Sequence, residues 1–157
     1  MSDMLVKLYE LPEATPVVAE LKSQGIIIRV ARPYEKQAVV DWVKNLFGAA
    51  WASECDVAFS NQPVSCFIAS ERGKIIGFAC YNSTCKCFFG PTGVSEEKRG
   101  LGIGKALLLV CLHAMHADGY AYGIIGGVGP AEFYSRVVGA TLIENSTPGI
   151  YSDLLKK

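Results

Sequence analysis

Closely spaced glycines mark the segment whose residue types and spacing are best suited to chemistry. The sequence from Val94 to Ala106 reads VSEEKRGLGIGKA and passes from the end of a predicted strand into a predicted helix. Such a turn can point several free backbone N–H groups and the positive end of a helix at one place, which suits a phosphate group. A tight turn that only allows close helix packing is the alternative explanation for the same glycines.

Two well-known phosphate-binding loops do not fit this spacing. The dinucleotide-binding pattern Gly-x-Gly-x-x-Gly would need a glycine where Lys105 stands. The Walker A pattern would need a glycine at Arg99 and a serine or threonine at Ala106. The spacing therefore excludes both patterns.

The pattern R-x-x-G-x-G that begins at Arg99, after a strand ending at Val94, resembles the GNAT acetyltransferase superfamily. In that family, an Arg or Gln followed by two glycine positions binds the pyrophosphate of acetyl-coenzyme A. The sequence from Pro130 to Ala140, PAEFYSRVVGA, also resembles the family's late short helix with its tyrosine and its glycine-containing exit. The segment from Ile26 to Glu144 follows the family's order of elements.

The resemblance implies that the glycine loop holds the pyrophosphate and that the preceding strand lies beside the pantetheine arm. The cofactor-binding residues implied in this way are Thr92, Gly93, Val94, Arg99, Gly100, Leu101, Gly102, Ile103, Gly104 and Lys105. In the family, this strand splays from its neighbour and leaves backbone groups free for the cofactor. Gly90, Pro91 and Gly93 independently predict a break in the strand, because proline removes a ladder donor and glycine marks bulges.

Tyr134 is the predicted general acid. An amine that attacks a thioester expels a coenzyme A thiolate, and a phenol held near the sulfur can protonate it. Packing of the Tyr134 ring under the cofactor or in the core is the alternative. The asparagine that the family often carries seven residues before this tyrosine falls on Gly127. The strand from Lys86 to Val94 also lacks the carboxylate that accepts the substrate's proton in several relatives, so the base is unassigned.

Three residues between the two early helices are candidates for the acceptor site, because the family usually builds that site there. Glu54 and Asp56 can attract a cationic amine, with solvated surface charge as the alternative. Trp51 can form a wall of the same site, although tryptophan at helical spacing is often a core residue.

Hydrophobic patterning places these residues in one mixed α/β domain. An early helix (14–23) and two further helices (34–47 and 49–59) are predicted before the sheet, and the strongest helix covers 102–117. We predict strands at 26–30, 64–69, 74–81, 86–94, 120–125 and 140–144, and a last edge strand at 148–154.

The predicted fold class is α/β (α+β), a GNAT-type, mostly antiparallel sheet with splayed central strands flanked by helices. Residues 1–24 are interpreted as an N-terminal extension and residues 25–157 as a single acetyltransferase domain.

Composition excludes several classes of protein. Lys and Arg together number 15, as do Asp and Glu, so the chain lacks the basic excess typical of nucleic-acid binding. Its apolar runs are too short for a signal peptide or a membrane span, which predicts a cytoplasmic protein with no membrane partner.

Of the six cysteines, Cys85 and Cys87 are expected on one strand face. The paired spacings of zinc sites are absent, so no metal is predicted.

These features predict an N-acetyltransferase that transfers an acetyl group from acetyl-CoA to a primary amine by direct attack in a ternary complex. The sequence does not identify the acceptor, which can be a small molecule or a peptide, and a homodimer is left open. The alternative is a non-catalytic acyl-CoA-binding sensor or scaffold. The missing carboxylate favours that alternative, and the retained Tyr134 disfavours it. A third candidate is a nucleotide-binding α/β protein of another kind.

Overall fold

One mixed sheet organises the chain, and the structure, a computed structural model, describes residues 1–156. Its strands are β1 (Met4–Lys7), β2 (Ile26–Val30), β3 (Cys66–Glu71), β4 (Lys74–Tyr81), β5 (Phe88–Val94), β6 (Tyr122–Ile125) and β7 (Thr141–Leu142). Its helices are α1 (Thr15–Ser23), α2 (Lys36–Phe47), α3 (Ala49–Ala58), α4 (Ile103–Ala117) and α5 (Ala131–Val138). The strand order is β2-β3-β4-β5-β6-β1-β7, and every neighbouring pair is antiparallel except β5 with β6. The predicted mixed, mostly antiparallel sheet is confirmed.

Both faces of the sheet are covered by helices. Successive side chains of a strand point to opposite faces, so β4 contributes to two separate cores. Ala79 and Tyr81 pack in the core that includes residues of α4 and α5, whereas Phe78 and Cys80 pack in the core that includes residues of α2 and α3. A cavity that is open to both faces of the sheet must therefore pass between two strands.

Strands β5 and β6 leave such a passage. They pair only through Phe88 and Phe89, and β5 continues without a partner on that side. On its other side, the register of β5 with β4 shifts between Ala79 and Tyr81, so that β5 carries an extra residue. The predicted splay is confirmed, although Gly90 and Pro91 lie within one continuous strand.

The first 24 residues are built into the domain. β1 pairs with β6 on one side and with β7 on the other. Met4, Val6, Leu8 and Leu21 are buried in the core on the α4 side of the sheet. The strand and the helix of this segment therefore stabilise the same core as the rest of the chain.

Two local predictions are wrong. The last edge strand is instead a short 3-10 helix (Gly149–Tyr151), because Gly149 adopts a left-handed conformation with φ +57 that turns the chain. Cys85 and Cys87 do not share a strand face, because β5 begins only at Phe88. No helix among the described residues combines the length and apolarity needed to cross a bilayer.

Candidate active site

A cavity of about 1100 Å³ connects the beginning of α4 with the gap between β5 and β6. The glycine loop and β5 form one wall, and the loop after β6 together with α5 forms another. Phe47 and Trp51, from the helices on the opposite face of the sheet, line it as well. The cavity therefore draws on elements from both faces, as the splay of the strands allows.

The beginning of α4 presents free backbone amides to this cavity. Gly100 and Gly102 have φ values of +87 and +93, a conformation that favours glycine and turns the chain into the helix. The first helical bond runs from the Ala106 N–H to the Gly102 carbonyl, so the intervening amides have no partner within the helix. A Cβ added at Gly104 would meet nothing within 4 Å, so the first turn of α4 is open on the side of that residue.

The structure brings the predicted cofactor-binding residues together, with one exception. All of them line the cavity apart from Leu101, whose side chain is exposed. Thr92 donates its hydroxyl to the Phe78 carbonyl over 3.1 Å, so this side chain is engaged within the sheet. Leu101 can contribute to cofactor binding only through the position of its backbone in the loop.

The charge of the cavity wall is entirely positive. Lys98, Arg99, Lys105 and Arg136 line it, and no Asp, Glu or His of residues 1–156 does so. Lys98 forms an ion pair with Glu71 at 2.7 Å. Among the described residues, Arg99, Lys105 and Arg136 form no such ion pair with a carboxylate. An anionic group is the natural ligand of such a wall. Arg136 was not singled out from the sequence, although its position two residues after Tyr134 on a short helix was a usable signal.

Tyr134 lies where α5 meets the cavity. Its side chain is 7% exposed and packs edge-on against Phe89 and Phe133. Burial raises the pKa of Tyr134 above its ordinary value of about 10. The phenol therefore stays protonated at neutral pH, as a proton donor must.

An aromatic group forms the end of the cavity on the α2–α3 side. Trp51 is stacked on Phe47 with ring centroids 5.4 Å apart, and both rings lie near Phe78. Phe47, at the end of a predicted helix, was not singled out from the sequence. The glycine at position 93 was the available signal, since a glycine inside a strand often marks a close approach by another group.

The two predicted acceptor carboxylates lie outside the cavity wall. Glu54 accepts a hydrogen bond from the Thr84 hydroxyl. Asp56 forms an ion pair with Lys36 at 3.1 Å. Of the three predicted acceptor residues, only Trp51 lines the cavity.

The loop after β6 is held in place by residues that sequence reasoning did not connect. The Gly127 amide donates to Asp3 over 2.8 Å, at the position where the family often carries asparagine. Tyr151 packs so closely over Gly126 that a side chain at Gly126 would collide with its hydroxyl group. The two chain ends therefore fix this part of the cavity wall.

Comparisons with known proteins agree with this architecture. Residues 36–137 match the family described as Acetyltransferase (GNAT) family. No curated protein matches the chain significantly.

Several solved structures have a similar fold. A fungal multi-domain GH3 β-N-acetylglucosaminidase that contains a GCN5-related glucosamine N-acetyltransferase region matches with a TM-score of 0.73 and 17% identity, over 90% of this chain and 19% of that chain. A GCN5-related N-acetyltransferase from Sphaerobacter thermophilus matches with a TM-score of 0.69 and 20% identity, over 90% of this chain and 48% of that chain. A GCN5-related N-acetyltransferase from Kribbella flavida matches with a TM-score of 0.57 and 14% identity, over 90% of this chain and 53% of that chain. At these identities the likeness shows the fold alone, and the chain spans about half or less of each matched chain.

Proposed function

Because the chain belongs to the GNAT acetyltransferase family, we propose that it is an N-acetyltransferase. It transfers an acetyl group from acetyl-CoA to a primary amine of a small molecule or peptide, by direct attack in a ternary complex. One observation carries the proposal: a single cavity joins the cationic beginning of α4 to the buried phenol of Tyr134 and continues to an aromatic end on the other face of the sheet.

The beginning of α4 supports binding of the diphosphate. Free amides and a helix N-terminus favour an anion, and Arg99 and Lys105 add positive charge. The open first turn beside Gly104 leaves room for phosphate oxygens. The acidic residues that would repel a diphosphate are absent from the described part of this wall.

The unpaired edge of β5 supports binding of the pantetheine arm. Beyond Phe89 this edge has no strand partner, and backbone groups left free there need another partner. The amides of a pantetheine arm can supply it in the manner of an added strand. The arm then leads from the glycine loop towards Tyr134.

The chemical step begins with attack of the neutral amine nitrogen on the thioester carbon. The C–S bond breaks as the amide forms, and the Tyr134 hydroxyl gives its proton to the departing thiolate. The amine loses its own proton to water, because no carboxylate or imidazole of the described residues lines the cavity, and water returns a proton to the Tyr134 phenolate.

A non-catalytic acyl-CoA-binding module is the alternative, and one pair of measurements separates the two. Thermal denaturation with acetyl-CoA, and separately with magnesium ATP, tests binding, because a ligand of the folded state raises the melting temperature. Release of free coenzyme A with a panel of amines tests turnover. We expect stabilisation by acetyl-CoA alone and amine-dependent release. Stabilisation without release supports the binding module, and equal stabilisation by ATP contradicts the proposed cofactor.

The six free cysteines are consistent with a reducing compartment, and we propose the cytoplasm as the location.

A further inference from the structure

Three cysteines from three separate elements meet in the core on the α2–α3 side of the sheet. Cys55 lies on α3, Cys66 begins β3, and Cys80 lies on β4 directly opposite Cys66 in the strand pairing. Their Sγ atoms all lie within 4.8 Å of one another, and each residue is 0% exposed. The acetyl-transfer site does not use them, because none lines the cavity.

The geometry is close to that of a trigonal metal site. Metal–sulfur bonds are about 2.3 Å long, so three sulfurs around one ion lie about 4 Å apart. The three Sγ atoms need to contract by less than about 1 Å to reach that spacing. Among residues 1–156, no further Cys, His, Asp or Glu joins the group, and the burial of all three residues keeps water from supplying a fourth ligand.

The surroundings of the cluster are apolar. All three cysteines belong to the core that also contains Val43, Ala52 and Phe78. Negative charge on thiolates is costly in such surroundings unless a cation compensates it.

We propose that Cys55, Cys66 and Cys80 form a three-coordinate site for a soft monovalent metal ion, with copper(I) as the probe. Thiolates select soft ions such as copper(I). Zinc prefers four ligands, and this cluster supplies three. One of the three ligands, Cys55, lies on α3, the helix that also carries Trp51 of the cavity wall.

The test measures copper(I) binding to the reduced, metal-free protein without oxygen, against a competing chromophoric copper(I) chelator. Because the cluster is buried, copper is supplied both to the folded protein and during refolding from denaturant. We expect one tightly bound equivalent. Cys55→Ser, Cys66→Ser and Cys80→Ser should each weaken the affinity by more than about 100-fold, beyond the usual effect of losing an outer partner of a metal ligand.

Two matched variants control for cysteine loss in general. Cys111→Ser removes an equally buried thiol on α4, and Cys85→Ser removes an exposed one. Both should bind copper(I) like the wild type. If they lose the bound equivalent to the same extent as the cluster variants, the assignment is overturned.

X-ray absorption of the copper-loaded wild type tests the site without any variant. Three sulfur neighbours and no nitrogen or oxygen are expected. Nitrogen or oxygen ligands, or the absence of a tightly bound equivalent after refolding, overturn the proposal. Zinc bound as tightly as copper(I), measured with a zinc chelator, overturns the three-coordinate assignment.

Discussion

The phenyl ring of Phe47 lies directly over Gly93, so that a Cβ built at Gly93 would fall 2.5 Å from Cζ of Phe47 and 2.8 Å from two further ring atoms. This contact joins the end of α2 to the part of β5 that has no strand partner on the β6 side. It places the aromatic end of the cavity against the strand proposed to hold the pantetheine arm. The absence of a side chain at Gly93 is therefore a steric requirement.

Gly93→Ala should destabilise the protein, because the added methyl group forces the Phe47 ring to move in a packed environment. Overpacking of this kind costs about 1–3 kcal/mol. Urea denaturation measures the loss. The double variant with Phe47→Leu should recover part of it, because the smaller side chain makes room. An unchanged stability of Gly93→Ala would contradict the close contact.

Gly104→Asp should abolish most acetyl-CoA binding while leaving the fold intact. The new carboxylate projects into open space beside the proposed diphosphate site, and like charges about 4 Å apart near a protein surface repel by about 4 kcal/mol. Affinity should therefore fall more than about 100-fold by calorimetry. Stability should hold or rise, since glycine is a poor helix former and an acidic residue suits the first helical turn.

Gly104→Ala is the matched control, because it adds a methyl group without charge. It should lose less affinity than Gly104→Asp and show a similar gain in helix stability. Gly102 is a poorer position for this experiment, because its φ of +93 strains any side chain. Equal affinity of wild type and Gly104→Asp would exclude the beginning of α4 as the diphosphate site.

The parts of the site that were predicted from the sequence are those set by local spacing. The glycine loop, α4 and the position of Tyr134 depend on residues close together in the chain, so a short pattern is enough to find them. The splay of β5 was predictable for the same reason, because Gly90 and Pro91 mark it locally.

The parts that were missed depend on contacts between distant elements. Nothing in the residues around Phe47 indicates that it covers Gly93, and the cysteine cluster joins α3, β3 and β4. Cys85 and Cys87 were instead the cysteines expected on one strand face, and the paired spacings of zinc sites are absent. Pairing of strands sets such contacts, and the register of a pair cannot be read from one strand alone.

Acid should lower the stability of the folded protein by protonating Glu35. Two hydrogen bonds from Arg29, at 2.7 and 2.8 Å, are the main cause that lowers the pKa of Glu35 to about 2. A lowered folded-state pKa gives stability that is present above the unfolded value of about 4.5 and is lost as the pH falls towards 2. At pH 7, the free energy of unfolding of Glu35→Gln, measured by urea denaturation, should therefore be lower than that of the wild type by up to about 1 kcal/mol. This is the scale of a partly exposed ion pair.

The difference in stability between wild type and Glu35→Gln should shrink towards zero near pH 2. Glu35 lies outside the cavity wall, so the turnover of Glu35→Gln at pH 7 should match the wild type. A difference of the same size at pH 2 and pH 7 would contradict the ion pair as the source of the effect.

Trp51→Ala should raise the KM for the amine acceptor and leave the KM for acetyl-CoA nearly unchanged. Trp51 is 38% exposed and is stacked on Phe47 at the end of the cavity proposed for the acceptor. Loss of one aromatic contact is worth about 0.5–1.5 kcal/mol, which corresponds to a rise of about 2- to 12-fold. Asp56→Asn is the control, because its carboxylate is paired with Lys36 outside the wall. A larger rise in Asp56→Asn than in Trp51→Ala would place the acceptor elsewhere.

Tyr134→Phe tests whether the phenol protonates the leaving thiolate. The substitution keeps the ring that packs against Phe89 and Phe133 and removes only the hydroxyl group. General acid catalysis contributes about 100- to 10,000-fold, so kcat should fall at least about 100-fold where thiolate departure limits the rate. The dissociation constant of acetyl-CoA should barely change, because the packing surface remains.

Tyr81→Phe is the matched control, since Tyr81 is buried in the same core but does not line the cavity. Its kcat should stay at the wild-type value. In the wild type, loss of kcat through ionisation of Tyr134 should occur at a higher pH than the ionisation of a solvent-exposed tyrosine, because burial raises the pKa of this phenol. Collapse of acetyl-CoA affinity in Tyr134→Phe, with kcat preserved at saturation, would instead make Tyr134 a binding residue and leave protonation of the thiolate to water.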